Sequence, residues 1–332
     1  MDNNHDDLYD ESIVIDGLNV SNWESSSVFD SLNKGKVTAI NATIAVWEHY
    51  PEAMDNISKW LHRFRDRSET VTQVKSVKDI IEAKQNNKTG VIFGWQNATP
   101  IENDLDRLEL FHELGVKIIQ VTYNERNLLG NGCWENRDDG LSNFGRDAIR
   151  EMNRLGILID LSHVGDKTTI DSISLSDQPV ACTHANARSF FDSRRNKTDD
   201  ALKLIAEKGG VVGATAWPRF LRRGWESPIV DFGDAIEDMV ERIGIDHVGI
   251  GTDYTQEQSS SWFDVLMSQQ GTKFSERRLE YPDLPKHPKG IETPDKLSNI
   301  TIELSKRGYN SQDISKILGG NWLRLLGEVW QD

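Results

Sequence analysis

The chain of 332 residues has two cysteines, Cys133 and Cys182, too few for a disulfide framework, so a reducing cytoplasmic setting is expected. No apolar run approaches the roughly 20 residues that cross a bilayer, so no membrane partner is expected. Residues 1–11 are acidic and polar rather than basic and then apolar, so they do not read as a signal peptide. Positive charge is also scarce. Lys and Arg number 38 against 53 Asp and Glu, a formal charge of -15. Such a chain repels phosphate backbones, which argues against a nucleic-acid partner. Neither a repeat longer than one βα unit nor a linker between domains is visible.

What is present is an alternation. Apolar runs with strand character fall at 12–16, 37–46, 90–94, 116–122, 157–161, 179–183, 210–216 and 247–251. Amphipathic helical patterns lie between them, as at 76–86, 144–155, 166–174, 199–207 and 232–243. Strands that are apolar throughout, each followed by a helix, predict a parallel sheet covered on both faces. Eight such units predict an α/β fold of (β/α)8 TIM-barrel type. Residues 1–11 are expected as a flexible acidic tail and 12–332 as a single barrel domain. Within it, 254–294 reads as a long polar loop of the kind that forms lids. Residues 295–330 read as C-terminal helices.

In such barrels the chemistry sits at the C-terminal ends of the strands. In order, those ends carry Leu18 and Val20, Trp47, Gln96, Tyr123, His163, His184, Trp217 and Asp253. His163 and His184 follow consecutive strands, which suits a shared divalent metal or a catalytic role ahead of the alternative, structural hydrogen bonding. Asp253 is a third ligand or a general base. Trp23, Trp47, Trp95, Trp134 and Trp217 lie at or just after strand ends, with Trp225 and Trp262 on neighbouring loops. They pack the core or grip an apolar or cationic group. Arg219, Arg222 and Arg223 form a solvated run or draw in an anionic substrate.

Several motifs carry a resemblance to a known family. These are Leu141-Ser-Asn-Phe-Gly145, the block Glu151-Met-Asn-Arg-Leu-Gly-Ile-Leu-Ile-Asp-Leu-Ser-His163, and Pro179-Val-Ala-Cys-Thr-His184. Ser193-Arg-Arg195-Asn, Val248-Gly-Ile-Gly-Thr-Asp253 and Gly319-Gly-Asn-Trp-Leu-Arg324 complete the set. Together they resemble the membrane (renal) dipeptidase family, peptidase family M19, from about Ile13 to Leu326. The resemblance implies zinc ligation by His163 and His184, a catalytic Asp253, substrate held by Arg195 and a homodimer. Four positions depart from the family pattern. Its opening Asp-Gly-His-Asn-Asp stands here as Asp16-Gly17-Leu18-Asn19-Val20, which removes two ligands of one zinc. Its bridging glutamate falls at Gln96, and its substrate-contacting histidine at Tyr123.

The expectation is therefore a divergent hydrolase acting on a small carboxylate-bearing amide or related compound. Asp253, His163 and His184 are its catalytic candidates, and Arg195, Tyr123, Gln96, Trp47 and Trp217 its substrate-binding candidates. Zinc or another divalent metal, about one per chain, is expected on His163 and His184, with Asp253 as a possible third ligand. A metal-free site is the alternative. The competing function is an inactive small-molecule-binding or regulatory protein.

Overall fold

The computed structural model describes residues 3–330. Nine parallel strands form its sheet: β1 Ile15–Asn19, β2 Ala39–Ala45, β3 Val71–Val74, β4 Thr89–Trp95, β5 Val116–Gln120, β6 Leu158–Asp160, β7 Ala181–Cys182, β8 Val211–Thr215 and β9 Val248–Gly251. The sheet closes because β1 pairs with both β2 and β9 while β2 also pairs with β4. This is the expected (β/α)8 barrel. β3, which the sequence did not signal, pairs only with Thr89–Ile92 of β4, below the point where β5 joins at Phe93. It is an extra strand outside the ring of eight.

Most strand residues are buried, as expected for strands with a filled barrel on one side and helices on the other. Local signals set the helices. In Asn143–Leu155 the Ser142 hydroxyl accepts from the Gly145 amide, and Gly156 ends the helix at φ 71°.

The C-terminal residues form helices at Asn299–Lys306, Ser311–Ser315 and Asn321–Trp330. The last of these closes the N-terminal end of the barrel with Trp322, which is 2 % exposed. Its indole donates to the Ile250 carbonyl at 3.0 Å. A Cβ at Gly17 would stand 2.7 Å from the indole, one at Gly213 3.0 Å, and one at Gly249 closer still. Three strands thus lack side chains where one tryptophan enters.

Two expectations need correction. The segment read as a flexible tail forms a helix at Asn3–Glu11, although Met1 and Asp2 lie outside the described residues. Tyr9 ties it down, buried and donating to the Gly35 carbonyl at 2.8 Å. One aromatic anchor outweighs the polar composition around it. The loop 254–294 is also not structureless. It holds a helix at Ser260–Leu266 and a 3-10 segment at Glu276–Glu280, and it folds over the C-terminal mouth.

Trp322→Ala should leave a large void at the barrel bottom and cost about 3–5 kcal/mol in urea unfolding. A loss below about 1 kcal/mol would show that the indole is not the plug.

Candidate active site

β6 ends in Asp160-Leu-Ser-His163, and β7 runs into Thr183-His184. Asp160 is 1 % exposed, and a carboxylate so deep persists only when hydrogen-bonded. Its Oδ1 accepts from the Ser162 amide at 3.0 Å, the Ser162 hydroxyl at 2.6 Å and the Thr183 amide at 2.9 Å. Its Oδ2 accepts from the Thr183 hydroxyl at 2.6 Å. The Thr183 proton being committed there, its oxygen can only accept from His184 Nδ1, 2.8 Å away. His184 is therefore protonated on Nδ1 and carries its lone pair on Nε2.

That lone pair faces His163. The two Nε2 atoms are 3.0 Å apart, and His163 Nδ1 lies 2.7 Å from Asn124 Oδ1. Burial, and then the Arg195 guanidinium, hold both histidines well below the usual imidazole range. Both rings are neutral at neutral pH. If His163 donates from Nδ1 to Asn124, two lone pairs confront each other, and only a cation between them relieves the contact. Without a cation, the Asn124 amide must present Nδ2 to His163 Nδ1. The His163 proton then sits on Nε2 and is donated to His184. Asn124 Nδ2 is buried without a partner.

Arg195 stands beside the pair. It is 3 % exposed, and among the described residues no carboxylate lies within ion-pair distance of it. Nη1 donates to the Ser162 carbonyl at 2.6 Å and Nη2 to the His184 carbonyl at 2.8 Å. Nε has no partner. The arginine thus ties together the loops after β6 and β7, and it is not the wholly free fork that the sequence suggested. Asp253, half-buried, follows β9 in the left-handed region at φ 60°, uncommon for most non-glycine residues but more accessible to Asp and Asn. Burial lifts its carboxyl to about 7, against the pull of Arg195.

His163, Arg195, Asp253, Tyr123, Gln96 and Trp217 line one cavity of about 30 Å³. Tyr123 stacks on His163 with ring centroids 4.2 Å apart. Gln96 is held by Thr43, to whose hydroxyl its Nε2 donates at 3.1 Å. His184 does not line the cavity; its ring meets His163, and its carbonyl accepts from Arg195. Trp47 does not line the cavity: it packs edge-on behind Tyr123 at 5.1 Å and donates to the Leu266 carbonyl at 3.2 Å.

The long loop supplies Thr255, Leu266, Met267 and Tyr281 to the lining, and none of these was read from the sequence. Nor were Asn124, Asp160, Thr183 and His287. His287 is buried, accepts from the Thr255 amide at 3.2 Å and packs against Trp217. The one available signal was polar residues interrupting apolar strand ends, as at Asp160 and Thr183. Arg219 pairs with Glu280 on the loop, Arg223 with Asp231 and Arg222 with Asp234. Each of the three arginines thus has an acidic neighbour, although Arg222 and Arg223 remain largely exposed. About 30 Å³ holds roughly one water, so the loop must move before a substrate enters.

Two imidazoles, a carboxylate of raised pKa and a buried guanidinium thus meet at the mouth of a (β/α)8 barrel. A sequence model of the membrane dipeptidase family (peptidase family M19) matches residues 4–277 and 279–331. An amidohydrolase structure from Pseudomonas aeruginosa is 40 % identical, covers 99 % of both chains and superposes with a TM-score of 0.95. The probable dipeptidase PvdM from the same organism is 21 % identical over 99 % of this chain and 98 % of its own, with a TM-score of 0.83, and so shares the fold. Dipeptidase tcpJ of Claviceps purpurea is 26 % identical over 84 % of this chain and 59 % of its own length. The chain thus spans little more than half of that curated relative. It belongs to the membrane dipeptidase family.

The family's two-metal centre does not fit these residues. Leu18 and Val20 are buried aliphatic groups, and the Gln96 amide is neutral and held by Thr43. Among the described residues no three His, Cys, Asp or Glu side chains converge as a metal site, so Asp253 does not join the histidines as a third ligand. The facing Nε2 atoms of His163 and His184, 3.0 Å apart, are the pair that would hold a single ion.

Thr183→Val removes the acceptor that fixes His184. Nitrogen-15 NMR of the metal-free wild type should show His184 protonated on Nδ1, and the variant should show mixed tautomers. An unchanged His184 signal in the variant would remove Thr183 from this role.

Proposed function

We propose that the chain is a divergent hydrolase of this family that cleaves a small carboxylate-bearing amide or a related compound, using at most one metal ion. The observation that carries the reading is Arg195, a buried guanidinium with no carboxylate of its own and an unpartnered Nε. Burying such a charge is costly unless it is paired. A substrate carboxylate meeting Nε and a remaining Nη hydrogen supplies the missing counter-charge in side-on, bidentate fashion.

The other residues then have roles. Asp253, with its carboxyl near 7, is ionised above that pH. It takes a proton from the attacking water and returns it to the leaving nitrogen. His163 and His184 would hold the ion, which would supply Lewis-acid polarisation of a carbonyl when bound. The loop 254–294, closed over the cavity, excludes bulk water and strengthens each electrostatic contact inside. Lacking a second metal to clamp the attacking water, the site should turn over ordinary dipeptides poorly. No helix among the described residues is long and apolar enough to cross a membrane. Cys133 and Cys182 are both free and buried, which supports a cytoplasmic setting. A homodimer is proposed on kinship alone.

Because Arg195 also ties two loops together, loss of activity in a variant is not by itself diagnostic. The informative quantity is a ratio. For N-acyl amino acids compared with their carboxamides, the wild type should prefer the acid in kcat/KM. Arg195→Lys keeps the charge but loses the planar fork and should collapse that preference about thirty-fold, equivalent to about 2 kcal/mol. An unchanged ratio would remove the carboxylate reading. Undiminished binding of the acids without turnover would favour the inactive, binding-only alternative.

A further inference from the structure

The loops that enter β2 and β4 lie at the N-terminal end of the barrel, the end away from the histidines. Each carries a lysine just before its strand, in Lys36-Val-Thr-Ala39 and in Lys88-Thr-Gly90. β2 and β4 pair in parallel with Ala39 opposite Gly90, so the two loops lie side by side. Each turns through a left-handed residue, Lys36 at φ 47° and Asn87 at φ 52°. Lys84 joins them from the last turn of the helix Val77–Gln85. Between the loops is a chamber of about 410 Å³, within the roughly 300–1,000 Å³ of small-ligand sites.

Three lysines line this chamber against one acid, Asp10, and Asp10 is engaged with Lys36. Among the described residues no carboxylate pairs with Lys84 or Lys88, although both are half-buried. Burial holds the Lys84 ammonium below the usual lysine range, against the pull of Asp10 and helped by the repulsion of Lys36. The last carbonyls of the helix do not occupy these lysines. Those of Glu82, Ala83 and Lys84 already accept from the amides of Asn86, Lys88 and Asn87. In a chain of formal charge -15 acids are abundant, yet none neutralises this pair. Two half-buried cations left without counter-charge mark a place where it comes from outside.

The chamber's other polar groups are suited to the same ligand. Asn33 makes only a long contact with the Asn87 carbonyl, at 3.5 Å, and the Asn87 amide is exposed. No aromatic ring lines the space, so it offers nothing on which to stack a nucleobase. Lysines acting as point charges, with amide donors beside them, are the chemistry that holds a phosphate group.

We propose that this chamber is a second ligand site, which binds a phosphate group, either as the free ion or on a small non-aromatic ester. Lys84 and Lys88 supply the charge, Lys36 adds to it as the anion competes with Asp10, and Asn33 and Asn87 donate amide hydrogens. The site is at the far end of the barrel from Arg195 and stands independently of the hydrolase reading.

The test is calorimetric titration of the intact chain with inorganic phosphate and with glycerol phosphate, in about 0.15 M sodium chloride to screen diffuse attraction. Binding should be saturable, at one site per chain. A tighter ester identifies a phosphorylated compound as the ligand, and an equal or weaker one identifies the free ion. The double variant Lys84→Gln, Lys88→Gln should bind about ten-fold more weakly or worse. Two controls should bind as the wild type does: Arg195→Lys, and the double variant Lys203→Gln, Lys306→Gln, which removes two exposed lysines. Asp10→Asn takes away the chamber's acid and should tighten binding about three-fold, a gain that a damaged fold does not produce. Unchanged melting temperatures check that the lysine variants remain folded. No saturable binding, an equal loss in the control pair, or unaltered affinity in the Lys84, Lys88 variant or in Asp10→Asn would overturn the proposal. So would a loss confined to Arg195→Lys, which would place the anion at the mouth.

Discussion

Two imidazole nitrogens held 3.0 Å apart are the constraint on which the site depends. Neither ring is free to turn. His184 is fixed through Thr183 to Asp160, and Asp160 is fixed by four donors from the ends of β6 and β7. His163 is fixed on its far side by Asn124, from the loop after β5, and on its face by Tyr123. The contact between the Nε2 atoms therefore joins three consecutive strand ends. Arg195 ties the same loops through the carbonyls of Ser162 and His184. Its charge adds to burial in keeping both rings neutral. Neutral nitrogens held in place by their neighbours are what a metal ion needs from its ligands.

The barrel serves this pair from both ends. Below, Trp322 fills the space left by glycines on three strands, so the floor of the barrel is solid. Above, the loop 254–294 closes the mouth. Trp47 holds that loop by its Leu266 carbonyl, and the buried Arg278 braces it internally through Asp264. A rigid floor and a covering loop are the division that catalysis asks of a barrel, because the reacting groups must stay fixed while the substrate comes and goes. Two buried cations, Arg195 and Lys197, sit at the centre of a chain whose formal charge is -15. Lys197 is satisfied by the Val164 carbonyl and the Thr169 hydroxyl. Arg195 keeps one donor unpaired.

Much of the fold was legible in the sequence because its strands are buried on both faces and so appear as unbroken apolar runs. All eight barrel strands were visible in that way. β1 was read three residues early, because its polar Asp16 and Asn19 resemble a loop until Thr252 is seen to supply the partners of Asp16. β3 was invisible. Its four residues are buried only at the ends, so no period stands out. Of the site, His163, His184, Arg195 and Asp253 were legible from position and motif, and the structure brings them to one mouth. Trp47 stands at a strand end and yet packs behind Tyr123, since strand-end position does not say which way a side chain leans. The groups that orient the histidines were not legible. Asn124 is 39 residues from His163 in sequence and Asp160 is 23 from Thr183, and only the closed barrel makes them neighbours.

The central claim is that one pair of imidazoles has replaced a two-metal centre. Metal content decides it most directly: apo-protein titrated with zinc, with the bound ion counted by native mass spectrometry and by elemental analysis after dialysis. The account predicts at most one ion per chain, lost when both His163 and His184 are changed to Ala. Two tightly held ions per chain would contradict it.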